Sequence, residues 1–556
     1  MAPQPPNVLT FVARAAPRVI CSATIGGRRE WDNHQLPRRS PARNKPQTDN
    51  QFNMFRSLRP KQSLSEGETN SALWLLLVDG VCANIMTVLT TGVFLVSFAL
   101  LLGASHKVIG LLAAIHPIAQ VLQIPTVYLV ERTRHRKAVT MLTAAASRLM
   151  YVMVALLPWL VPPQHRLVVL LVALLFHFSL SAMAGCAFNS WIRDVIPENR
   201  MATFFARRMA WSAAVSASLS LAAGAAIDFY SRHYPAASGY SFLFGGAIVA
   251  GLSGLYYLGR VGEPQMPAVK YDGLMKLLAQ PFKSLNYRKL LLFIAVWNFT
   301  VNFVSPFFTV YLISRLKLSM TSVVGLTVLS QTINVLFFGL WARLSDSHSN
   351  KSVIAVAAPM FFVTFLLWPF TDMPAAKFLM APILVVIYVL HGMATSGVTL
   401  CVTNLALRAA PLGKATSFVA VNALVMGVAA AIAPILAGLC ADYFETQELT
   451  LTVTWFENLD VTPILSLPAM DLRGLDFIFG IGFLLGVLAY YRIRAIKEPG
   501  EVEESVVRAQ LLAEIRRVAR QVSFITSVPL TFMPFSGRRI QNGINAIAKE
   551  PERPAD

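Results

Sequence analysis

The chain consists of apolar runs long enough to cross a bilayer, and no other feature constrains its fold as tightly. A hydrocarbon layer about 30 Å thick needs roughly 20 apolar residues of helix to span it. Inside lipid every backbone N–H and C=O must be satisfied within the protein, so runs of this kind fold as helices. We read twelve of them, near 72–100, 107–130, 138–161, 166–191, 204–229, 240–260, 289–313, 320–343, 352–371, 378–407, 413–441 and 474–494. Hydrophobic residues make up 55% of the chain and charged residues 14%, whereas a soluble domain carries about 25% charge. The expected class is an all-α, multi-pass membrane protein.

The runs also repeat. A shift of 215 residues carries Gly110 onto Gly325, Glu131 onto Asp346, Cys186 onto Cys401, Asn189 onto Asn404 and Arg193 onto Arg408 without a gap. This predicts two pseudo-symmetric six-helix bundles. Parallel repeats in a membrane allow one half to rock against the other around a shared central site, which points to a solute transporter. The organisation reads as a basic N-terminal extension over 1–70, a first bundle over 71–261 and a linker over 262–287. A second bundle over 288–495 and a tail over 496–556 complete it.

Formal net charge is +19. Its placement, not its size, is informative, because cytoplasmic loops retain Lys and Arg. With the start of span 1 inside, Arg132, Arg134, Arg136 and Lys137 fall inside, as do Arg193, Arg200, Arg207, Arg208, Arg343, Lys351, Arg408 and Lys414. The outer loops receive Lys107, Arg166, Arg232, Arg315, Lys317, Lys377 and Arg473. Both termini are therefore expected in the cytoplasm, and the basic excess marks orientation, with no nucleic acid as partner. Cys21, Cys82, Cys186, Cys401 and Cys440 are scattered without a CxxC, so neither a disulfide framework nor a metal site is expected.

Residues 1–70 are rich in Pro and Arg and poor in acids. They read as a disordered tail, as a transit-like peptide, or as sequence preceding a true start at Met54. In the linker, Leu274, Leu277, Leu278 and Phe282 recur at helical spacing and suggest a surface helix. The tail repeats the pattern with Val506, Val507, Leu511, Ile515, Val518 and Val522 beside Arg508, Arg516, Arg517 and Arg520, as a lipid anchor or a helix packed on the bundle. The 442–473 loop alternates as a strand over 450–456, as a lid or a surface insertion.

The loop after span 2 reads Leu129-Val130-Glu131-Arg132-Thr133-Arg134-His135-Arg136-Lys137, and its repeat partner after span 8 reads Leu344-Ser345-Asp346-Ser347-His348-Ser349-Asn350-Lys351. Here the chain resembles the major facilitator superfamily, whose loop between helices 2 and 3 is roughly G-x-L-x-D-R-x-G-R-R. Leu129, Arg132 and Arg136 fit, Glu131 stands for Asp, and both glycines are replaced, by Val127 and Arg134. The resemblance covers about 72–494. It is of the bacterial type, because the run from Trp191 to Arg208 looks like one seen in bacterial members. It implies that the acid and the Arg residues latch the halves on the cytoplasmic side. We therefore expect Arg193 and Arg408 to contact Glu131 and Asp346 as an inside gate that also uses Arg132 and Arg136.

Ionisable groups inside a membrane are functional candidates by default. Asp79 in span 1 and Arg148 in span 3 are the well-buried opposite charges of the first half, and we pair them, either as a coupling or binding pair or as a packing ion pair. His177 in span 4 and His391 in span 10 are near repeat-equivalents at the midplane. The resemblance implies that spans 1, 4, 7 and 10 line the cavity, so the two histidines are expected to face each other across it. His116 has no such symmetry and reads as packing. Span 7 adds Trp297, Asn298 and Asn302; Gln331, Asn334, Asn84 and Gln120 add amides. Such a cavity suits a neutral or amphiphilic solute, with amides bonded to their own backbone as the bland alternative.

No GxxxxGK[ST] occurs, which argues against ATP as the driver, and no hydrolase or zinc constellation is found. The expectation is a non-enzymatic secondary transporter of a small organic solute. It needs no cofactor, is monomeric, and works by alternating access in a bacterial cytoplasmic membrane. Proton-coupled export is the leading mode. Uptake of a sugar or carboxylate nutrient, a non-transporting sensor or scaffold, and lipid movement are the rivals.

Overall fold

The structure is a computed structural model that describes residues 61, 65–265, 281–372, 378–408, 415–455, 465–496, 498 and 505–513. Among these, twelve helices are long and apolar enough to cross a membrane. They are α1 (Glu66–Leu101), α2 (His106–Thr133), α3 (Arg136–Leu160), α4 (Arg166–Val195), α5 (Glu198–His233) and α6 (Ala236–Gly259) in the first lobe. The second lobe has α7 (Leu285–Arg315), α8 (Met320–Ser347), α9 (Asn350–Leu367), α10 (Met380–Arg408), α11 (Ala415–Phe444) and α12 (Leu475–Arg494). An even number of crossings returns the chain at 495 to the side where it entered at 65.

Packing follows the repeat. In the first lobe α1 packs on α5 and α6, α3 on α4 and α6, and α2 on α4. In the second lobe α7 packs on α11 and α12, α9 on α10 and α12, and α8 on α10. The lobes meet where α2 packs on α11 and α5 on α8. The first of these contacts needs glycine on both sides: a side chain at Gly110 would fall on the Pro434 carbonyl, and one at Gly438 on the His106 carbonyl.

Helix ends explain where the expected spans were too short. α1 starts at Glu66, not near 72, because Ser65 and Glu68 form a reciprocal capping box. Asp79 therefore lies thirteen residues (79 − 66) from the first residue of the helix. α5 starts directly after Pro197, whose fixed φ suits the approach to a first turn. That start carries the helix six residues beyond the expected start at 204, so Arg207 and Arg208, already inside the expected span, lie away from its end.

Two interruptions matter. α1 breaks at Thr91, which is extended, and Gly92, which has φ +58°. The break leaves the Thr90 carbonyl without its helical donor, and the fully buried Tyr151 hydroxyl donates to it at 2.7 Å. α2 tightens into a 3-10 turn at Gln120–Leu122.

The repeat extends to the N-termini of α3 and α9. Glu263 accepts the Arg136 N–H at 2.7 Å, and Glu498 accepts the Lys351 N–H at 2.7 Å. A carboxylate placed there satisfies helix N–H groups that have no partner within the helix and favours the positive end of the helix dipole.

The outer loop forms a hairpin, β1 (Glu448–Trp455) antiparallel to β2 (Leu465–Arg473), with Glu448 opposite Arg473 and a register shift between Leu451 and Thr452. Residues 505–513 are helical and bury Val507 and Leu511 in the main core, so this part of the tail packs on the protein. Ile515, Val518, Val522, the linker helix up to 280, and residues 1–60 lie outside the described residues. Phe282 sits exposed in the single turn Pro281–Lys283.

Candidate functional site

A cavity of about 710 Å³ is lined mainly by the first lobe, with α7 of the second lobe contributing the rest. Its lining runs from Thr309 in α7 to Leu258 in the last turn of α6, and so through most of the depth of the bundle. The broken part of α1 contributes Thr87, Thr90, Thr91 and Gly92. Irregular backbone at membrane depth is tolerated where it lines a cavity, as here.

The ionisable lining comes from five helices of the first lobe, α1 to α5 in order: Asp79, His116, Arg148, His177 and Arg208. Asp79 is 3% exposed and Arg148 8%. The expected direct pair is not made. Asp79 Oδ1 and Arg148 Nη1 are buried without a hydrogen-bond partner, and no ion pair joins the two. The separation has a steric side: Asp79 Oδ1 lies against Gly254, and Arg148 packs beside Gly251 and Met86.

Sequence reasoning missed Arg208 because it was counted only as an orientation charge, although the expected span over 204–229 contains it. Its guanidinium crosses α1 at Gly80, where any side chain would collide with it, and lies 5.4 Å from the Phe188 ring centroid. The small residue directly after Asp79 was the available signal. His116 was also read as packing, yet it lines the cavity, edge-on to Phe178 and 3.2 Å from Gln120 Nε2.

His177 lines the same cavity. Its Nδ1 is 2.9 Å from the Ser147 carbonyl. A carbonyl only accepts, so Nδ1 carries the proton and Nε2 is left as the acceptor. Tyr151 packs edge-on against the ring at 4.3 Å between centroids. His391 does not face it. His391 lines a separate cavity of about 480 Å³ with Gln331, Asn334 and Thr395, among Phe308, Phe361 and Tyr388. The two histidines stay apart because the aromatic cluster of α7 and α9 surrounds His391.

The span 7 residues are placed as packing. Trp297 is buried against Phe361 and Phe362. Asn298 donates to the Ile294 carbonyl at 2.9 Å and Asn302 to the Asn298 carbonyl at 2.8 Å, both within their own helix. Asn84 instead ties α1 to α5, donating to the Ser212 carbonyl at 3.1 Å and to the Ser216 hydroxyl. From α7 the cavity takes Ser305, Pro306 and Thr309.

The expected inside gate is not assembled in this conformation. Asp346 and Arg408 approach at 3.9 Å, but both are exposed and both belong to the second lobe. Arg408 also reaches Glu498 at 3.7 Å. Glu131, Arg132 and Arg193 form no ion pair among the described residues. Arg136 is fully buried inside the first lobe, bonded to Asp194 at 2.5 Å, the Ser190 carbonyl at 3.0 Å and the Pro264 carbonyl at 2.8 Å, with Glu263 at 3.6 Å. It staples α3, α4 and the segment after α6. Burial pushes the Glu263 carboxyl above its usual range, and the Lys137 and Arg136 N–H groups and the Arg136 charge oppose that rise.

Bonds between described residues of the two lobes gather at the opposite end. Asp442 of α11 lies 3.3 Å from His106 Nδ1 and 3.5 Å from Lys107 Nζ of α2. Asp228 of α5 accepts the Met320 and Thr321 N–H groups of α8, both at 2.8 Å. Interlobe bonds thus gather at one end of the bundle, while at the other the ion pairs of Arg136 and Arg408 stay within their own lobes.

The sequence matches the family described as Major Facilitator Superfamily over residues 80–434, more than half of the chain. No curated protein matches it. Solved structures of the same architecture include a variant of the nucleoside transporter NupG, with TM-score 0.57, 13% identity, and coverage of 77% of this chain and 100% of that one. A bacterial homologue of the human lysosomal transporter Spinster, inward-facing and unoccupied, has TM-score 0.55, 14% identity and coverage of 78% and 100%. A D-xylose–proton symporter has TM-score 0.54, 14% identity and coverage of 78% and 98%. At these identities the likeness is one of fold.

Proposed function

The chain belongs to the Major Facilitator Superfamily, and from that premise we propose that it moves a small amphiphilic organic solute by alternating access, with Asp79 carrying a coupling proton. It is a multi-pass membrane protein and a secondary transporter. The observation that carries the mechanism is a charged cavity, lined by the first lobe and by α7 of the second, in a molecule whose interlobe bonds gather at one end. Rocking the lobes would release that end and close the other.

The basic loops after α2 and α4 support a cytoplasmic position for residues 65 and 495 in a bacterial cell membrane. On that orientation the conformation is inward-facing. Asp79 suits proton coupling because it is buried beside the cavity, with Arg148, Arg208 and Cys82 near it and Oδ1 unpartnered. Proton-coupled export is the first reading. Uptake of a carboxylate nutrient is the second, favoured by the surplus of Arg over Asp in the cavity.

The test is flux in proteoliposomes. Solutes whose levels differ between cells with and without the protein are supplied under imposed pH gradients of either sign. We expect gradient-driven flux in one direction, with Asp79→Asn removing the dependence on the gradient. Undiminished gradient dependence in that variant would remove Asp79 from the coupling role. Absence of flux under every gradient would favour a sensor or scaffold.

A further inference from the structure

We propose that the cavity takes the negatively charged head of an amphiphile between the Arg148 and Arg208 guanidinium groups, with the solute's apolar body against Met86, Leu95 and Phe178. This rests on the transporter reading and adds the substrate class to it.

The charge count comes first. Two guanidinium groups and one carboxylate line the cavity. A positive charge is left over when Asp79 is ionised, and two when it is protonated. A cationic solute would meet net repulsion. A guanidinium N–H held in a membrane interior is costly when no acceptor meets it. Arg148 Nη1 is in that position, buried and without a hydrogen-bond partner.

The donors come next. Five of the eight lining hydroxyls that would greet a neutral polyol already donate to a carbonyl of the protein, while Thr140 Oγ1 is buried without a partner. Thr87 donates to the Ala83 carbonyl at 3.0 Å, Thr90 to the Met86 carbonyl at 2.6 Å and Ser147 to the His177 carbonyl at 3.1 Å. The uncommitted charged donors are guanidinium N–H groups, whose planar fork matches a carboxylate or phosphate oxygen pair.

Placement is the third argument. Gly80 leaves the gap through which Arg208 reaches the cavity, and Phe188 supports the guanidinium from the side by a cation–π contact. Surface arginines need no such channel. The volume suits a drug-sized solute.

The experiment uses the full chain in nanodiscs and three probes with one body: 4-phenylbutyrate, 4-phenylbutyramide and 4-phenylbutylamine, with binding read by calorimetry. We expect the carboxylate to bind at least tenfold more tightly than the amide, and the amine most weakly. Arg208→Gln should abolish the preference. Gly80→Ala, which displaces Arg208 without removing its charge, should weaken it several-fold. Equal or tighter binding of the amide or amine overturns the proposal, as does failure of all three to bind. Preference retained in Arg208→Gln overturns the role of Arg208. The wild-type series needs no variant to fold. Interlobe distances that still exchange between two states, despite failure here, would leave the transporter reading standing; distances fixed in one state would remove both.

Discussion

Arg136 and Glu263 illustrate how a residue pair can be legible in sequence and still be misassigned. The resemblance assigned Arg136 to a gate between the lobes, but its side chain is buried among groups of its own lobe. Glu263 was not singled out, although Glu263-Pro264 recurs as Glu498-Pro499 after the other lobe. Breaking a buried pair by removing one partner costs about 3–5 kcal/mol, and Arg136→Met should lose stability of that order near pH 8. The pH dependence has a definite sign. A carboxyl held above its usual range in the folded state favours folding below that range and loses this contribution as pH rises through its folded value. Removing Arg136 raises Glu263 further, so the variant's deficit should shrink toward pH 5. Thermal melts at pH 5 and pH 8 measure this; an equal deficit at both would contradict it. At the cavity, Asp79, Arg148 and His177 could be found because intramembrane charge and imidazole are rare. Trp297, Asn298 and Asn302 misled because lipid is as apolar as a protein core, so helical spacing identifies a face without saying what the face meets.

At the scale of elements, the closed end depends on two helix contacts of different kinds. α2 meets α11 backbone to backbone at Gly110 and Gly438, so Gly438→Leu should force the pair apart and expose the cavity at the α2–α11 end to an impermeant thiol reagent. Unchanged labelling of a cysteine at Thr309 would contradict that. α5 meets α8 through Asp228, which caps a helix of the other lobe. Loss of a capping carboxylate costs about 0.5–2 kcal/mol, so Asp228→Ala should shift the balance between the two closures by roughly 2- to 30-fold, by that energy at RT ≈ 0.59 kcal/mol. Spin-label populations would read the shift, and an unshifted distribution would count against the cap. Neither contact was visible in sequence, since both pair residues far apart along the chain. The break in α1 has a local cause. Gly92 takes a left-handed conformation that disfavours an L side chain by about 1–2 kcal/mol, and Gly92→Ala should lower the melting temperature measurably.

For the whole molecule, the architecture was readable because lipid restricts the alternatives. Apolar runs must be helices, and a gapless repeat implies two like lobes. The conformation was not readable, because it depends on the small difference between two sets of interlobe contacts, of which the sequence displays both. On the function proposed above, the charges from Glu131 to Arg408 would act in the state that closes that end. The most direct measurement is therefore a pair of interlobe distances by electron–electron double resonance in nanodiscs. One label pair sits at Lys107 and Tyr443, the other at Thr133 and Ser347. The account predicts two populations in which one distance lengthens as the other shortens, with their ratio moved by Asp228→Ala. A single fixed distance at each end, or both lengthening together, would contradict alternating access in this protein.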